Sequence, residues 1–598
     1  MITRWGLHEL RFVAQTQLPF EVTMFVMFCQ GSSCRHRVRG FFDGDAFAVR
    51  FSPPDVGAWT YSTQSDVPSL NGLRGDFRVR HAPLDERGPI RAVDRHFEHA
   101  DGTVHFSVGT TSYAWAHHSS ATRAATLRTL EGPNRAFNKL RFCIFPKWFF
   151  YNHEEPQSGM YPYAGAPPAQ WDFRTFNVTF WRHLELQIDE LRRRGIVAEL
   201  ILFHPYDGVP LKKEPRGRWG FDCMGGQEPA SYDTANDEHY LRYAVARLAA
   251  FSNVWWSMAN EWDLIACKSH GIRSPPPVYL ERPSEAELLC YSSQQADVRA
   301  AFGNNTGQLW NHWLQFGKAE GRLICDRVRL NGPPTALASP VWDRLFQTLR
   351  SEDPYPRETS VHNWNGPSSV LYNHSRPWID HISLQVFQPV DSLELTSRIV
   401  GGMYGQKPVV WDEVGYEGDL PHPWGALSAR QMVDRFWQGL SLGVHVGHGE
   451  TLLTPGLPDD EQVMWWSKGG ELRGFSPSRI QWFREHVESR RAHFDFSRLQ
   501  PWAEADSFGC DCSAMLSPGN FMLVYVMSDR PCSFHLPGAS IYRVDAIDYW
   551  AMRRRVLAWR AQGVTRVERA ALEALNLSGS VPYVVELRSR GIWSDNEV

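Results

Sequence analysis

Between residues 104 and 450, segments typical of buried β-strands alternate with segments typical of helices, and this alternation constrains the fold strongly. Amphipathic helices are predicted over 180–191, 237–251, 342–353 and 429–443. Strands that alternate with helices form a parallel sheet, and eight such strands predict a closed (β/α)8 TIM barrel within an α/β chain. An open doubly wound sheet is the alternative, but no glycine-rich phosphate turn follows the first strand. The eight predicted strands cover residues 104–115, 139–146, 196–203, 254–263, 359–363, 381–385, 408–415 and 444–450.

The segments on either side of this pattern are rich in predicted strands. Residues 1–85 predict an N-terminal β-sandwich, and residues 498–598 predict a C-terminal β-sandwich domain, which leaves 86–497 for the barrel. The barrel pattern is interrupted over 268–338 by a segment with proline-rich ends and a helical centre. That centre resembles a bacterial repeat in the stretches "DVRAAF" and "HWLQFGKAEGR". The resemblance favours an inserted accessory module over an ordinary helical excursion.

Charge and cysteine usage exclude several classes of partner. The 598 residues carry a formal net charge of -4, too small and too mixed to predict binding to nucleic acid. Membrane association is not expected either, since no run of about 18 apolar residues occurs. The N-terminus lacks the pattern of a secretory leader and the ten cysteines are scattered, so we expect reduced thiols and a cytoplasmic location. The 25 tryptophans suit either a large core or a cleft that stacks on apolar sugar faces.

Two glutamates stand at strand ends, where barrel enzymes carry their reactive side chains. Glu261 closes the fourth predicted strand and Glu413 closes the seventh, so the two carboxylates would face each other across the barrel mouth. Acetal hydrolysis requires such a pair, because one group protonates the leaving oxygen while the other attacks the anomeric carbon or activates water. We predict a separation of about 5–5.5 Å, as in retaining enzymes. Asp412 is a weaker candidate, since strand alternation would turn it to the opposite face; Glu450 is a weaker nucleophile.

Other polar and aromatic side chains near the strand ends are candidate sugar ligands. Three strand-end histidines could instead hold zinc, but a carboxylate pair needs no metal, and we predict neither a metal nor another cofactor. Trp465 and Trp466 would form platforms for a sugar face or pack at a domain interface. The predicted substrate-binding residues are Arg141, Trp148, His204, Asp207, Asn260, His362, Gln385, His448, Glu450 and Trp465.

Longer motifs resemble known families. "FFDGDAFAVRFSPPDVGAWTYST" resembles the DUF5060 sandwich, and "LILFHPYD", "NEWDL" and "KPVVWDEVGYEGDL" resemble the DUF5605 family of glycoside hydrolase-like proteins. Asn-Glu at the end of the fourth strand and Glu at the end of the seventh resemble the clan A glycoside hydrolases. The resemblance implies Glu261 as acid/base, Glu413 as nucleophile, Asn260 at the substrate 2-hydroxyl, and Arg141 orienting the nucleophile.

We therefore expect a retaining glycoside hydrolase whose partner is a saccharide and which acts on an oligosaccharide in the exo manner. The alternatives are an endo-acting polysaccharide hydrolase and a catalytically inactive carbohydrate-binding barrel. The insertion would narrow the cleft, extend it, or join a second copy of the chain into a homo-oligomer.

Overall fold

The N-terminal part consists of two β-sheets that face each other. The aromatic rings of Phe28 and Phe51, one from each sheet, stack with centroids 4.0 Å apart. The sheets contain, in spatial order, Ile2–Thr3, Arg74–Arg80, Gly57–Ser65, Met24–Gln30 and Ser33–Arg39 in one, and His8–Phe12, Phe47–Phe51 and Phe41–Phe42 in the other. The structure, a computed structural model, describes residues 2–132, 135–146, 161–166, 170–204, 234–262, 285–317, 339–355, 357–363, 372–386, 396, 399–458, 461–490, 499–501, 508–527, 530–567 and 582–589.

The central part is a parallel barrel with a strand at each of the eight predicted positions. The strands are β1 Val108–Thr111, β2 Lys139–Cys143, β3 Val197–Phe203, β4 Val254–Ala259, β5 Thr359–Ser360, β6 Ile382–Gln385, β7 Val409–Glu413 and β8 His445–His448. In ring order they are β5, β4, β3, β2, β1, β8, β7 and β6, and an isolated bridge between His362 and Ser383 joins the two ends of the sheet. The predicted TIM barrel is thus confirmed, and it is nearly closed.

Helices cover the outside of this barrel, because each carries an apolar stripe towards the strands. Phe180, Leu184, Ile188 and Leu191 of one helix are fully buried, as their spacing predicts. The α-helices described in full in and after the barrel, apart from the insertion, are Ser120–Glu131, Val178–Arg193, Thr234–Leu248, Ser339–Glu352, Ala429–Ser441, Trp465–Lys468 and Ser476–Ser489, and short 3-10 turns occur at Pro19–Glu21, Pro68–Leu70, Trp115–His117 and Pro423–Gly425.

A small sheet packs against the N-terminal end of the barrel. Its strands are Ile90–Val93, His96–His99 and Val104–His105. Phe97 lies 4.7 Å from Trp255 of β4, centroid to centroid, and belongs to the same apolar cluster as Val410 of β7. This packing fills the lower end, so the opposite end, where the strands terminate, is the end available to a ligand. Further short strand pairs are Tyr163–Ala166 with Gln170–Phe176 and Glu417–Gly418 with Glu450–Thr451.

Within the predicted insertion, the described residues are helical and have an apolar cluster of their own. The helices are Glu285–Gln294, Ala296–Phe302, Thr306–His312 and a π-helix Trp313–Gly317, and the cluster is formed by Leu288, Tyr291, Val298, Leu309 and Trp313. The boundaries of this segment, and those of the other predicted domains, stay predictions.

The C-terminal part is rich in strands, as the sequence predicts. Its main sheet contains, in order, Gln500–Pro501, Cys512–Ser517, Phe521–Val526, Tyr583–Ser589, Tyr542–Asp548 and Arg553–Ala561, and Cys532–Phe534 pairs with Thr565–Val567. Glu586 of this sheet lies 2.9 Å from His486 Nε2 and forms an ion pair with Arg490 at 3.1 Å, at the end of a barrel helix. These buried contacts tie the two parts together. None of the described helices is both long enough and apolar enough to cross a lipid bilayer.

The expectation of reduced thiols is wrong for several cysteines. Cys29 is bonded to Cys34 and Cys510 to Cys532, and Cys290 is also disulfide-bonded. The positions of the cysteines in the sequence did not indicate these pairs, because only the folded chain brings the sulfur atoms together. The cytoplasmic location stays a prediction, although structural disulfides are rare in reducing compartments.

Candidate active site

Two carboxylates meet at the open end of the barrel. Glu413 is the last residue of β7, and Glu261 lies two residues beyond the end of β4. The side-chain amide of Gln385, the last residue of β6, donates to Glu261 Oε1 at 3.1 Å and to Glu413 Oε2 at 2.8 Å. Because one nitrogen reaches both groups, these two carboxylate oxygens lie within about 6 Å of each other.

Glu413 is buried and surrounded by donors. Its Oε1 accepts hydrogen bonds from the Tyr113 hydroxyl and from Arg141 Nη1, the latter at 2.8 Å. Burial alone would raise the pKa of Glu413, but His362 in its protonated form and Arg141, with the hydroxyl and amide donors, outweigh it and hold the pKa below its usual value. Glu413 is therefore ionised at neutral pH.

Glu261 differs from Glu413 in both exposure and backbone conformation. Its side chain is half-buried, and its backbone φ is +48°, in the left-handed region that residues other than glycine rarely adopt. The next residue, Trp262, donates its backbone N–H to the carbonyl of His362 at 2.9 Å. Non-glycine residues held in this conformation are concentrated at functional sites, where the surrounding contacts offset a cost of about 1–3 kcal/mol.

Arg141 joins this pair to a deeper layer of charges. Its Nη2 donates to Asn260 Oδ1, and its Nε lies 3.4 Å from Glu199. Below it, the ammonium of Lys139 bonds to Glu199 and, at 2.5 Å, to Asp412. All of these charged side chains are fully buried or nearly so.

The prediction that Asp412 faces away from Glu413 is wrong. An irregularity in the pairing of β6 with β7 places Leu384 opposite Trp411 and Gln385 opposite Glu413, so Asp412 is an extra residue on its strand. Such a bulge interrupts strict alternation. Asp412 therefore points into the barrel, one layer below Glu413, where it meets Lys139.

The structure brings four predicted ligands to the carboxylate pair. Arg141, Gln385 and His362 contact Glu413 directly, His362 through Nε2 at 3.5 Å from Oε1, and Asn260 contacts Arg141. His204 is buried immediately after β3. Trp148 and Asp207 lie outside the described residues.

Three other predicted ligands, His448, Glu450 and Trp465, lie elsewhere. His448 is the register partner of Thr110, on the outward side of the wall, where its ring stacks on Phe137 at 4.8 Å. Trp465 donates its indole N–H to the same threonine at 2.8 Å. Their roles in sugar binding stay predictions, but this placement does not support them.

Glu450 forms a second carboxylate pair, with Glu417, at the N-terminus of helix Ser476–Ser489. Together they accept hydrogen bonds from backbone N–H groups of residues 473–476. Burial raises the pKa of Glu450 to about 7, and the charge of Glu417 acts in the same direction. With His448, these carboxylates are close enough to hold a metal ion, but the N–H groups already satisfy them.

The aromatic residues Tyr113, Tyr416 and Trp424 at the site were not predicted. Tyr113, in the loop after β1, lies beside Glu413, and its ring contacts Trp466 edge-on at a centroid distance of 6.0 Å. Trp466 also packs against Tyr416 and Trp424. The adjacent tryptophans at 465 and 466 indicated an aromatic contribution, but only the fold shows that Trp466 lies beside Tyr113, the residue that contacts Glu413.

Comparisons with known proteins agree with this geometry. Residues 1–66 match the family described as a domain of unknown function, DUF5060, and residues 92–450 match the family described as "Apiosidase-like, catalytic domain". No curated protein shows significant similarity to the chain.

Solved structures give the same class. A protein from Bacteroides vulgatus ATCC 8482, assigned provisionally to the glycoside hydrolases, is 28% identical with a TM-score of 0.72, over 98% of this chain and 99% of its own. A glycoside hydrolase of family 5 from the same organism shares the fold, at 14% identity and a TM-score of 0.52, over 84% and 94% of the two chains.

The parallel barrel, the two carboxylates at its open end and the similarity to these proteins together define the class of the protein, which is a glycoside hydrolase. Because the catalytic-domain match covers more than half of the sequence, the chain belongs to the apiosidase-like family. The resemblance to glycoside hydrolases is thus confirmed, with the barrel matching the apiosidase-like family where DUF5605 was expected.

Proposed function

We propose that the protein is a retaining glycoside hydrolase with Glu413 as nucleophile and Glu261 as acid/base. The observation that carries the proposal is the bridge made by Gln385, since it holds Glu261 Oε1 and Glu413 Oε2 within about 6 Å of each other. Inverting enzymes need room for a water between the two groups, roughly 6.5–9.5 Å. The bridge therefore favours direct attack by a carboxylate.

In the proposed reaction, ionised Glu413 attacks the anomeric carbon while Glu261 protonates the leaving oxygen. Arg141 and Tyr113 hold Glu413 Oε1, and the neutral amide of Gln385 holds Oε2, which makes Oε2 the attacking oxygen. Glu261 then takes a proton from the water that releases the sugar. Its partial exposure suits a group that exchanges protons with the leaving group and with water.

The substrate we propose is an oligosaccharide or glycoside from which a terminal sugar is released. The name of the matching family makes apiosides the first substrates to test. The aromatic cluster around Trp466 supports binding of an apolar sugar face. Association of two copies through residues 268–338 stays a prediction.

A screen of p-nitrophenyl glycosides, including apiosides of both anomers, tests the proposal. Glu413→Gln and Glu261→Gln should each lower kcat at least about 1000-fold on any glycoside that the wild type hydrolyses. Azide should restore turnover in Glu261→Gln, because an anion can replace the activated water. Glu485→Gln, on an exposed position of helix Ser476–Ser489, is the matched control and should retain wild-type activity.

The anomer of the first product, read by proton NMR, decides the stereochemistry. Retention is expected, and inversion would refute the assignment of Glu413 as nucleophile. Binding of a saccharide without turnover would instead favour the inactive barrel.

A further inference from the structure

A chain of buried groups runs from the deep charge layer to the nucleophile. Lys139 Nζ bonds to Asp412 Oδ1 at 2.5 Å, Ser383 Oγ bonds to Asp412 Oδ2 at 2.5 Å, and His362 Nδ1 lies 2.9 Å from Ser383 Oγ. At the other side of the ring, His362 Nε2 is 3.5 Å from Glu413 Oε1. All of these side chains are at most 3% exposed.

The direction of each hydrogen bond in this chain can be deduced. Burial opposes ionisation of Asp412, but the charges of Lys139 and Arg141 hold its pKa well below the usual range, so its carboxylate carries no proton. Asp412 can only accept, and the single hydroxyl proton of Ser383 must point to it. Ser383 Oγ is therefore the acceptor towards His362, whose proton must sit on Nδ1.

The other ring nitrogen then has no proton. Burial, with the positive charge of Arg141 acting in the same direction, lowers the pKa of His362 to about 4, so the ring is neutral at pH 7. Nε2 makes no hydrogen bond to any described residue, and its lone pair faces an oxygen of Glu413 that already accepts from Tyr113 and Arg141.

We propose that Ser383 and Asp412 are positioning residues that fix the Nδ1-protonated form of His362 and so withhold a hydrogen-bond donor from the nucleophile Glu413. This proposal rests on the proposed function. A ring with its proton on Nε2 would donate to Glu413 and stabilise the carboxylate before attack, which lowers its reactivity. The charged groups that face the ring are Glu413, Arg141, Asp412 and Lys139.

Ser383→Ala removes the hydroxyl that accepts the ring proton. Asp412→Asn supplies an amide donor to Ser383, which reverses the direction of the hydrogen bonds from Asp412 to His362. In both variants His362 can carry its proton on Nε2 and donate to Glu413. We measure the pH profile of kcat/KM on the p-nitrophenyl glycoside that the wild type hydrolyses. Its acidic limb should move to lower pH by about 0.5–1 unit in both variants. We expect kcat/KM on its plateau to fall about tenfold. Ser383→Thr keeps the hydroxyl and should retain the wild-type profile.

A second measurement does not depend on turnover. In 15N-histidine-labelled protein, the signals of His362 are identified by their loss in His362→Gln. Protonation at Nδ1 in the wild type and at Nε2 in Ser383→Ala is expected. An Nε2-protonated ring in the wild type, or an acidic limb that does not move in a folded, active Ser383→Ala, would overturn the proposal. Absence of turnover by the wild type would count against the proposed function alone, since the NMR result still tests the tautomer.

Discussion

Replacing Glu450 with glutamine should stabilise the protein at alkaline pH and leave it almost unchanged at acidic pH. Glu450 is 1% exposed, and burial raises its pKa from 4.5 in the unfolded chain to about 7. The folded state therefore binds this proton more tightly than the unfolded state does. Stability is retained below pH 4.5 and is lost as the pH rises towards 7.

The size of the effect follows from this shift. A rise from 4.5 to about 7 corresponds to about 3 kcal/mol once the carboxylate is ionised in both states. Glutamine imitates the protonated form, because it keeps an oxygen for the N–H groups of Arg473 and Gly474 without the charge. The variant should thus gain up to about 3 kcal/mol over the wild type between pH 5 and pH 8.

Urea unfolding of both proteins at pH 5 and pH 8, followed by tryptophan fluorescence, measures the change. Glu485→Gln, which removes an exposed carboxylate of helix Ser476–Ser489, controls for the loss of one surface charge. If the free-energy difference between Glu450→Gln and the wild type were the same at both pH values, the carboxylate would not hold its proton in the folded state, and the reasoning would fail.

Three further predictions concern the core and the cross-links. Lys139→Met removes a cation from between two buried carboxylates and should cost about 3–5 kcal/mol in urea unfolding; an unchanged midpoint would contradict the buried charge layer. Trp465→Phe removes the indole hydrogen bond to Thr110 and should lower the melting temperature with little change in KM, whereas a platform role predicts a large rise in KM without loss of stability. The bond between Cys510 and Cys532 closes a loop with a sequence separation of 22, so the Cys510→Ser variant should be about 3 kcal/mol less stable than the non-reduced wild type, and equal stability would argue that the thiols are free in solution.

The outline of the fold could be predicted because it rests on local patterns. Each barrel strand is a short apolar run, and a covering helix has an apolar stripe such as Phe180–Leu184–Ile188. Both patterns are visible within a few residues of the sequence. The two glutamates could be identified for the same reason, since strand ends are visible in the sequence. The distance between the two glutamates, in contrast, is known only from the hydrogen bonds that Gln385 donates to both of them. The position of Gln385 depends on the pairing of β6 with β7.

What could not be predicted depends on contacts between distant residues. Tyr113 and Glu413 are 300 positions apart in the chain, and no local pattern links them. The inward position of Asp412 results from one extra residue in a strand, which changes the face of a side chain without a trace in the apolar pattern. The pairing of Cys510 with Cys532, and not with its close neighbour Cys512, likewise follows from the folded sheet.

The charges of the active site explain why so many charged side chains are buried beneath it. Among the described residues of this network, Lys139 and Arg141 are cations, whereas Glu199, Asp412 and Glu413 are anions, and His362 is neutral at pH 7. One negative charge is therefore left over in the network as a whole, and Glu413 is its outermost carboxylate. The transition state of glycoside cleavage develops positive charge at the anomeric carbon. A buried network that carries one excess negative charge and ends at Glu413 stabilises this positive charge without reorganisation, which offsets the desolvation cost of the layer below.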